Sequence, residues 1–243
     1  MAKPGSELTS LSHWLRDLIR KVPLSASVLR VRRHTNVYAS CDTVESVFMI
    51  ESGRIKLVTF SATGKECLLG LLGAGELFGE LSLAQNGERL ETATAVQDSI
   101  VTQIPAARLL ASLSRNGLAH EFVRYLAERL AERQQIIARL LTVDAEHRLA
   151  ATLLELGRRF GRPHRQGLWI DFRISHQELS QMVGTTRPRI TAFMTKFQSL
   201  GLIQRPSKRS LIVNEAALAG FLDDPERILP SADPPSGAAK IIP

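Results

Sequence analysis

Residues 174–205, ISHQELSQMVGTTRPRITAFMTKFQSLGLIQR, constrain the fold more than any other part of the chain. Ser175 followed three residues on by Glu178 is a capping box, which starts a helix over roughly His176 to Val183. Gly184 stops it, as glycine past a helix end commonly does. Thr186 can then cap a second helix, with Pro188 in the first turn, where a missing backbone N–H costs nothing. At about 100° per residue, Ile190, Phe193, Met194 and Phe197 of that helix fall on one inward face. The opposite face carries Pro188, Thr191, Ala192, Thr195 and Ser199, flanked by Arg187, Arg189 and Lys196, and holds no carboxylate. A helix entering the major groove needs short side chains for close approach, donors for base edges and cations for phosphates. An ordinary helical hairpin with a basic face fits these residues equally well. The following residues separate the two readings. Leu202-Ile203, the basic turn Pro206-Ser207-Lys208-Arg209 and Leu211-Ile212-Val213 read as a β-hairpin wing, with Lys208 and Arg209 at its tip.

The charge balance points the same way. A formal net charge of +7 favours an anionic partner. From Asp144 to Glu215 there are twelve Lys/Arg against six Asp/Glu, a surplus of six that is most of the total. Nucleic acid is the first expectation and an anionic membrane surface the second. Cys41 and Cys67 are isolated, so neither a cysteine-ligated metal site nor a disulfide framework is expected. The first residues, MAKPGSELTS, have no apolar signal core, and no run of about 18 apolar residues occurs, so a soluble cytoplasmic protein is expected. No Ser/His/Asp arrangement, phosphate-cradling loop or metal cluster suggests an enzyme.

Upstream, Leu8 to Lys21 has the stripe of a short amphipathic helix, Leu11, Trp14, Leu15, Leu18 and Ile19. From Val22 to Pro105 the pattern changes to short β-branched runs broken by Gly, Asn and Asp. Val47–Ile50, Ile55–Phe60, Glu66–Leu71 and Ser99–Ile104 are the clearest strands, and their spacing suggests a barrel or jelly roll. Asn116 to Val143 reads as one long helix. Val123, Leu130 and Ile137 recur every seven residues, with Leu126, Arg133 and Leu140 three positions after each, a heptad seam interrupted by one Arg. That seam could bury against its own barrel, but its length favours a symmetric two-helix contact. The chain is therefore α+β. The expected order is an N-terminal helix (1–21), a jelly-roll effector domain (22–115), a dimerisation helix (116–143), a winged helix-turn-helix (144–223) and a disordered tail (224–243).

GAGELFGELSLAQNGE, Gly73 to Glu88, resembles the phosphate-binding cassette of cyclic-nucleotide-binding domains. Together with VGTTRPRITAFMTKFQSLGLI it makes the chain similar to the Crp/Fnr superfamily from about Trp14 to Leu222. The resemblance implies a homodimer on palindromic double-stranded DNA, with RNA polymerase as a further partner. It places Arg187 where the family's recognition helix opens with a guanine- or phosphate-contacting Arg. Pro188 stands where the family has a base-reading Glu, and Ala192 where it has a second Arg, so a different operator is implied. In the effector pocket, Phe78, Gly79, Glu80 and Leu81 match the cassette, with Glu80 in the place of the residue that takes the ribose 2′-hydroxyl. Glu91-Thr92 occupy the place of the Arg-Ser pair that holds the cyclic phosphate. Arg89 lies two residues early and could substitute if the loop bulges. Arg133 and Gln134 stand where hydroxyl side chains contact adenine. A carboxylate facing a phosphate is repulsive, so a cyclic nucleotide is an uncertain cofactor and DNA binding is expected not to require cyclic AMP. The alternative is a sensor whose DNA binding requires bound cyclic AMP or cyclic GMP.

Overall fold

The computed structural model describes residues 26–64, 66–84, 88–207 and 209–223. The expected N-terminal helix, the expected disordered tail after Asp224 and Lys208 lie outside the described residues.

Strands β1 (Ser27–Val31), β2 (Asn36–Tyr38), β3 (Ser46–Ser52), β4 (Arg54–Phe60), β5 (Glu66–Gly73), β6 (Leu77–Phe78), β7 (Thr92–Ala95) and β8 (Ser99–Pro105) build two antiparallel four-stranded sheets. Their orders are β1-β8-β3-β6 and β2-β7-β4-β5, so apart from the β4–β5 hairpin neighbours in space are distant in sequence, as in a jelly roll. Residues of both sheets close one core, in which Phe48, Ile50, Ile55, Leu72, Phe78 and Val101 are almost fully buried. A short 3-10 helix, Glu80–Leu83, follows β6.

Helices α1 (Ala106–Arg115) and α2 (Ala119–Thr142) come next. The sequence reading starts its long helix at Asn116 and counts the residues of α1 with the jelly roll, so α1 is a helix it does not contain. The chain breaks at Asn116-Gly117, where Gly117 has φ +66° and takes the left-handed turn that glycine tolerates. Phe122 and Tyr125 on the first turns of α2 bury against Val47, Met49, Leu77 and Leu109. Val123, Leu130 and Ile137 point away from that cluster and are 62%, 60% and 57% exposed. Leu140 at 42% shares the exposed side, where Leu141 at 82% is also open. Leu126 does not belong to this open row: it is half-buried against the same cluster as Phe122 and Tyr125. The open seam is therefore narrower than the heptad pattern indicates.

The C-terminal part contains α3 (Ala145–Phe160), β9 (Arg162–His164), β10 (Gly167–Ile170), α4 (His176–Val183), α5 (Arg187–Ser199), β11 (Ile203–Ser207), β12 (Ser210–Val213) and α6 (Glu215–Asp223). Its sheet runs β11-β12-β10-β9, which makes the β11–β12 hairpin a wing supported by a second hairpin. Three helices and the wing bury Leu149, Leu153, Leu179, Val183, Ile190, Phe197, Ile203 and Val213 in one cluster. Leu71, from β5 of the jelly roll, belongs to that same cluster, so the two parts share apolar contacts.

Candidate functional site

Local chemistry builds the helix-turn-helix. The Ser175 hydroxyl accepts from the Glu178 N–H at 3.1 Å, and the Glu178 carboxylate accepts from the Ser175 N–H at 2.8 Å. Both halves of the capping box are present, satisfying two N–H groups that the helix start leaves open. Gly184 turns the chain at φ +68°. A Cβ there would lie 2.7 Å from Cδ2 of Leu140, so glycine serves both the left-handed turn and the close approach of α2. Thr186 occupies the N-cap of α5, but its side chain makes no capping hydrogen bond.

On α5, Ile190, Met194 and Phe197 are buried and Phe193 is half-buried. Thr186, Arg187, Pro188, Arg189, Thr191, Ala192 and Thr195 are exposed together. Arg209 is exposed at the wing tip. Lys196 is less free, because its ammonium sits 2.7 Å from the Glu146 carboxylate of α3. The Arg189 guanidinium lies 5.6 Å over the Phe193 ring. His176, which sequence reasoning did not single out, bridges two elements: Nδ1 is 2.9 Å from Thr191 Oγ1 on α5, and Nε2 is 2.9 Å from Arg205 Nη1 on β11. Burial, then Arg205 and Arg187, push the His176 imidazole below its ordinary range. Arg148, also missed, joins the elements behind the recognition helix. It donates to the carbonyls of Val183 at 2.8 Å, Gly184 at 3.3 Å and Leu140 at 3.4 Å, and to that of Val143. A single guanidinium thus answers four carbonyls at the ends of α4 and α2, groups that helix ends leave open.

The effector cassette is organised differently from its sequence pattern. Gly79 takes φ +78°, and a Cβ on it would meet Arg89 Nη1 at 2.6 Å. Arg89 is 2% exposed. It donates to the carbonyls of Gly79 at 2.7 Å, Val44 at 2.6 Å and Ser46 at 2.5 Å, and its guanidinium stacks 4.2 Å over the Tyr38 ring. Arg89 therefore serves the interior of the roll. Phe78 is also core, stacked 5.2 Å from Phe48. Glu91 is 5% exposed and accepts from the Tyr38 hydroxyl at 2.9 Å. Burial raises the Glu91 carboxyl above the usual carboxylate range and Glu80 raises it further, against the Tyr38 hydrogen bond and the cations Arg129 and Arg133. Thr92 is buried and accepts from the Ser40 N–H at 3.0 Å. Glu80 is engaged by Arg129 of α2 at 3.3 Å. That guanidinium also donates to the Leu77 carbonyl at 3.1 Å and the Tyr125 hydroxyl at 3.0 Å. Arg133, one turn further, donates to the Leu69 carbonyl at 2.5 Å. Leu81 and Gln134 are exposed. The structure thus brings Glu80, Glu91, Arg129 and Arg133 into one charged group, and Arg129 had no sequence signal beyond lying four residues before Arg133.

Neither a metal cluster nor a membrane-spanning helix occurs among the described residues. A jelly roll feeding a long helix and a winged helix-turn-helix is the architecture of a DNA-binding transcription regulator. A model of the cyclic nucleotide-binding domain matches residues 28–116, and one of the Crp-like helix-turn-helix domain matches residues 147–221. The cyclic AMP receptor protein of Thermus thermophilus is 34% identical over 183 residues, covering 75% of this chain and 81% of that protein. The global nitrogen regulator of Synechococcus elongatus is 29% identical over 202 residues, covering 82% and 90%. Among solved structures, the c-di-GMP responsive global regulator CLP of Xanthomonas campestris superposes with a TM-score of 0.69 at 24% identity, covering 82% of this chain and 98% of that one. The chain belongs to the Crp/Fnr family of transcription regulators and is not an enzyme.

Proposed function

We propose that this regulator acts as a cytoplasmic homodimer on a palindromic operator and binds it without cyclic AMP. The observation that carries the second part is Glu91: the position that would hold a phosphate-binding cation holds a buried carboxyl bonded to Tyr38. Two like charges about 4 Å apart cost on the order of 4 kcal/mol at an effective dielectric of 20, roughly a thousandfold in affinity. Glu80, the residue that would take a ribose hydroxyl, is already paired with Arg129. The exposed row Val123, Leu130 and Ile137 on α2 supports the dimer, since a seam of this period is buried by a second identical helix. Two recognition helices then face half-sites about one helical turn apart, and RNA polymerase is the expected protein partner. Calorimetry with cyclic AMP and cyclic GMP, paired with electrophoretic shifts on promoter DNA in the absence of nucleotide, tests this. A specific shift without nucleotide is expected. Binding of DNA only in the presence of micromolar cyclic AMP or cyclic GMP would refute it and establish the nucleotide-requiring sensor instead.

A further inference from the structure

The outward face of α5 offers fewer hydrogen-bond donors than its composition suggests. Thr191 Oγ1 donates to the Arg187 carbonyl at 3.1 Å. The tautomer of His176 follows from its second nitrogen: Arg205 Nη1 can only donate, so Nε2 accepts and the proton lies on Nδ1. Nδ1–H therefore donates to Thr191 Oγ1 at 2.9 Å, which fills one acceptor site of a hydroxyl whose own proton is already used. Thr195 Oγ1 donates to the Thr191 carbonyl at 3.1 Å, and Ser199 Oγ to the Lys196 carbonyl at 2.8 Å. Lys196 itself is drawn to Glu146 at 2.7 Å. Pro188 and Ala192 have no side-chain donor. Arg189 is exposed but leans to the flank, its guanidinium 5.6 Å over the Phe193 ring. The centre of the exposed face is thus a pyrrolidine ring and three side chains ending in methyl groups, those of Thr191, Ala192 and Thr195.

Base edges in the major groove are distinguished by acceptors, donors and the C5-methyl of thymine. A surface whose donors point inward is mismatched to the O6 and N7 acceptors of guanine and fits the thymine methyl by apolar contact. Resting on the reading of α5 as the recognition helix, we infer that the helix reads the centre of its half-site through thymine methyls. Thr191, Ala192 and Thr195 are the reading residues, and His176 is the positioning residue that keeps the Thr191 hydroxyl turned away from the groove. Arg187, exposed at the helix start, supplies the donor contact at the edge of the same half-site.

The test uses the full chain and the duplex it selects from a random pool. Each thymine of the half-site is replaced in turn by deoxyuridine, which removes the methyl and keeps every hydrogen-bonding group. Fluorescence anisotropy should show affinity falling about fourfold at the contacted positions, the worth of one buried methyl group. Thr191→Ser, which keeps the hydroxyl and drops the methyl, should abolish the penalty at one position, and Thr195→Ser at another. Thr191→Val should retain it. His176→Ala should weaken the preference for thymine opposite Thr191 while leaving that opposite Thr195. Deoxyuridine duplexes that all bind as tightly as the parent, with the selected sequence still outcompeting random duplex, would overturn methyl readout and leave α5 as the recognition helix. A failure to prefer the selected sequence over random duplex would overturn both.

Discussion

Glu91 is a carboxyl with one hydroxyl partner, Tyr38, and its burial inside the jelly roll, then the Glu80 carboxyl, raise its pKa. Its folded pKa lies above the ordinary 4.5, so the stability it contributes is complete below pH 4.5 and is lost as pH rises through the folded value. Glu91→Gln keeps the acceptor for Tyr38 and removes the charge. Its melting temperature should exceed that of the parent at pH 7, and the gap should close as pH falls toward 4.5. Equal melting temperatures across that range would contradict the assignment. Arg187 and Arg209 differ in kind. Arg187→Ala should cost roughly 1–3 kcal/mol on the selected sequence and little on random duplex. Arg209→Ala, at the wing, should weaken all duplexes alike and reduce the slope of log K against log salt by about one. Identical, sequence-independent losses for both would show that Arg187 touches only the backbone.

Among the elements, α2 faces two ways. Its first turns bury Phe122 and Tyr125 against the roll, and its outer row stays open. Leu130→Glu would set two carboxylates facing each other across a symmetric seam while changing a residue that is 60% exposed in the single chain. Light scattering should report a monomer with unchanged helicity. A variant that stays dimeric would exclude this seam as the contact. The same scale shows what the sequence makes legible. Helices α4 and α5 were readable because Ser175, Glu178, Gly184 and Pro188 are local signals acting within one turn of each end. The short strands β2, β6 and β7 were not, since three, two and four residues carry almost no periodicity and are fixed by partners far along the chain. Leu126 fits the heptad and still turns inward, because a spacing of three or four residues does not tell the seam from the roll. Arg89 shows a similar limit at the effector pocket. Its place in the cassette was visible, but the three carbonyls that draw it inward come from Val44, Ser46 and Gly79, two of them more than forty residues away.

Across the whole molecule, the roll and the winged helix are joined by a mixed interface. The Arg54 guanidinium stacks 3.9 Å over Phe172 and lies 3.6 Å from the Asp171 carboxylate. Arg159 meets both oxygens of Glu76 at 2.7 and 2.9 Å, and Gln181 of α4 donates to the Glu66 carbonyl at 3.2 Å. With Leu71 inside the winged-helix cluster, the parts should unfold together, giving one calorimetric transition. The double variant Arg54→Ala, Phe172→Ala should split it in two. A single transition in that variant would place the coupling elsewhere, with Arg148 as the next residue to change.

Leu71 also limits how freely this protein can be recombined. A winged helix-turn-helix grafted onto a foreign receptor, cut at the loop before Asp144, would leave behind the leucine that completes its own apolar cluster and the arginine that covers Phe172. The donor fragment would expose that seat to water, and the recipient would present an arbitrary surface to it. A transplant that carries Arg54, Leu71 and Glu76 into the new receptor supplies the missing half, so the portable unit is the reader together with the patch of roll on which it rests.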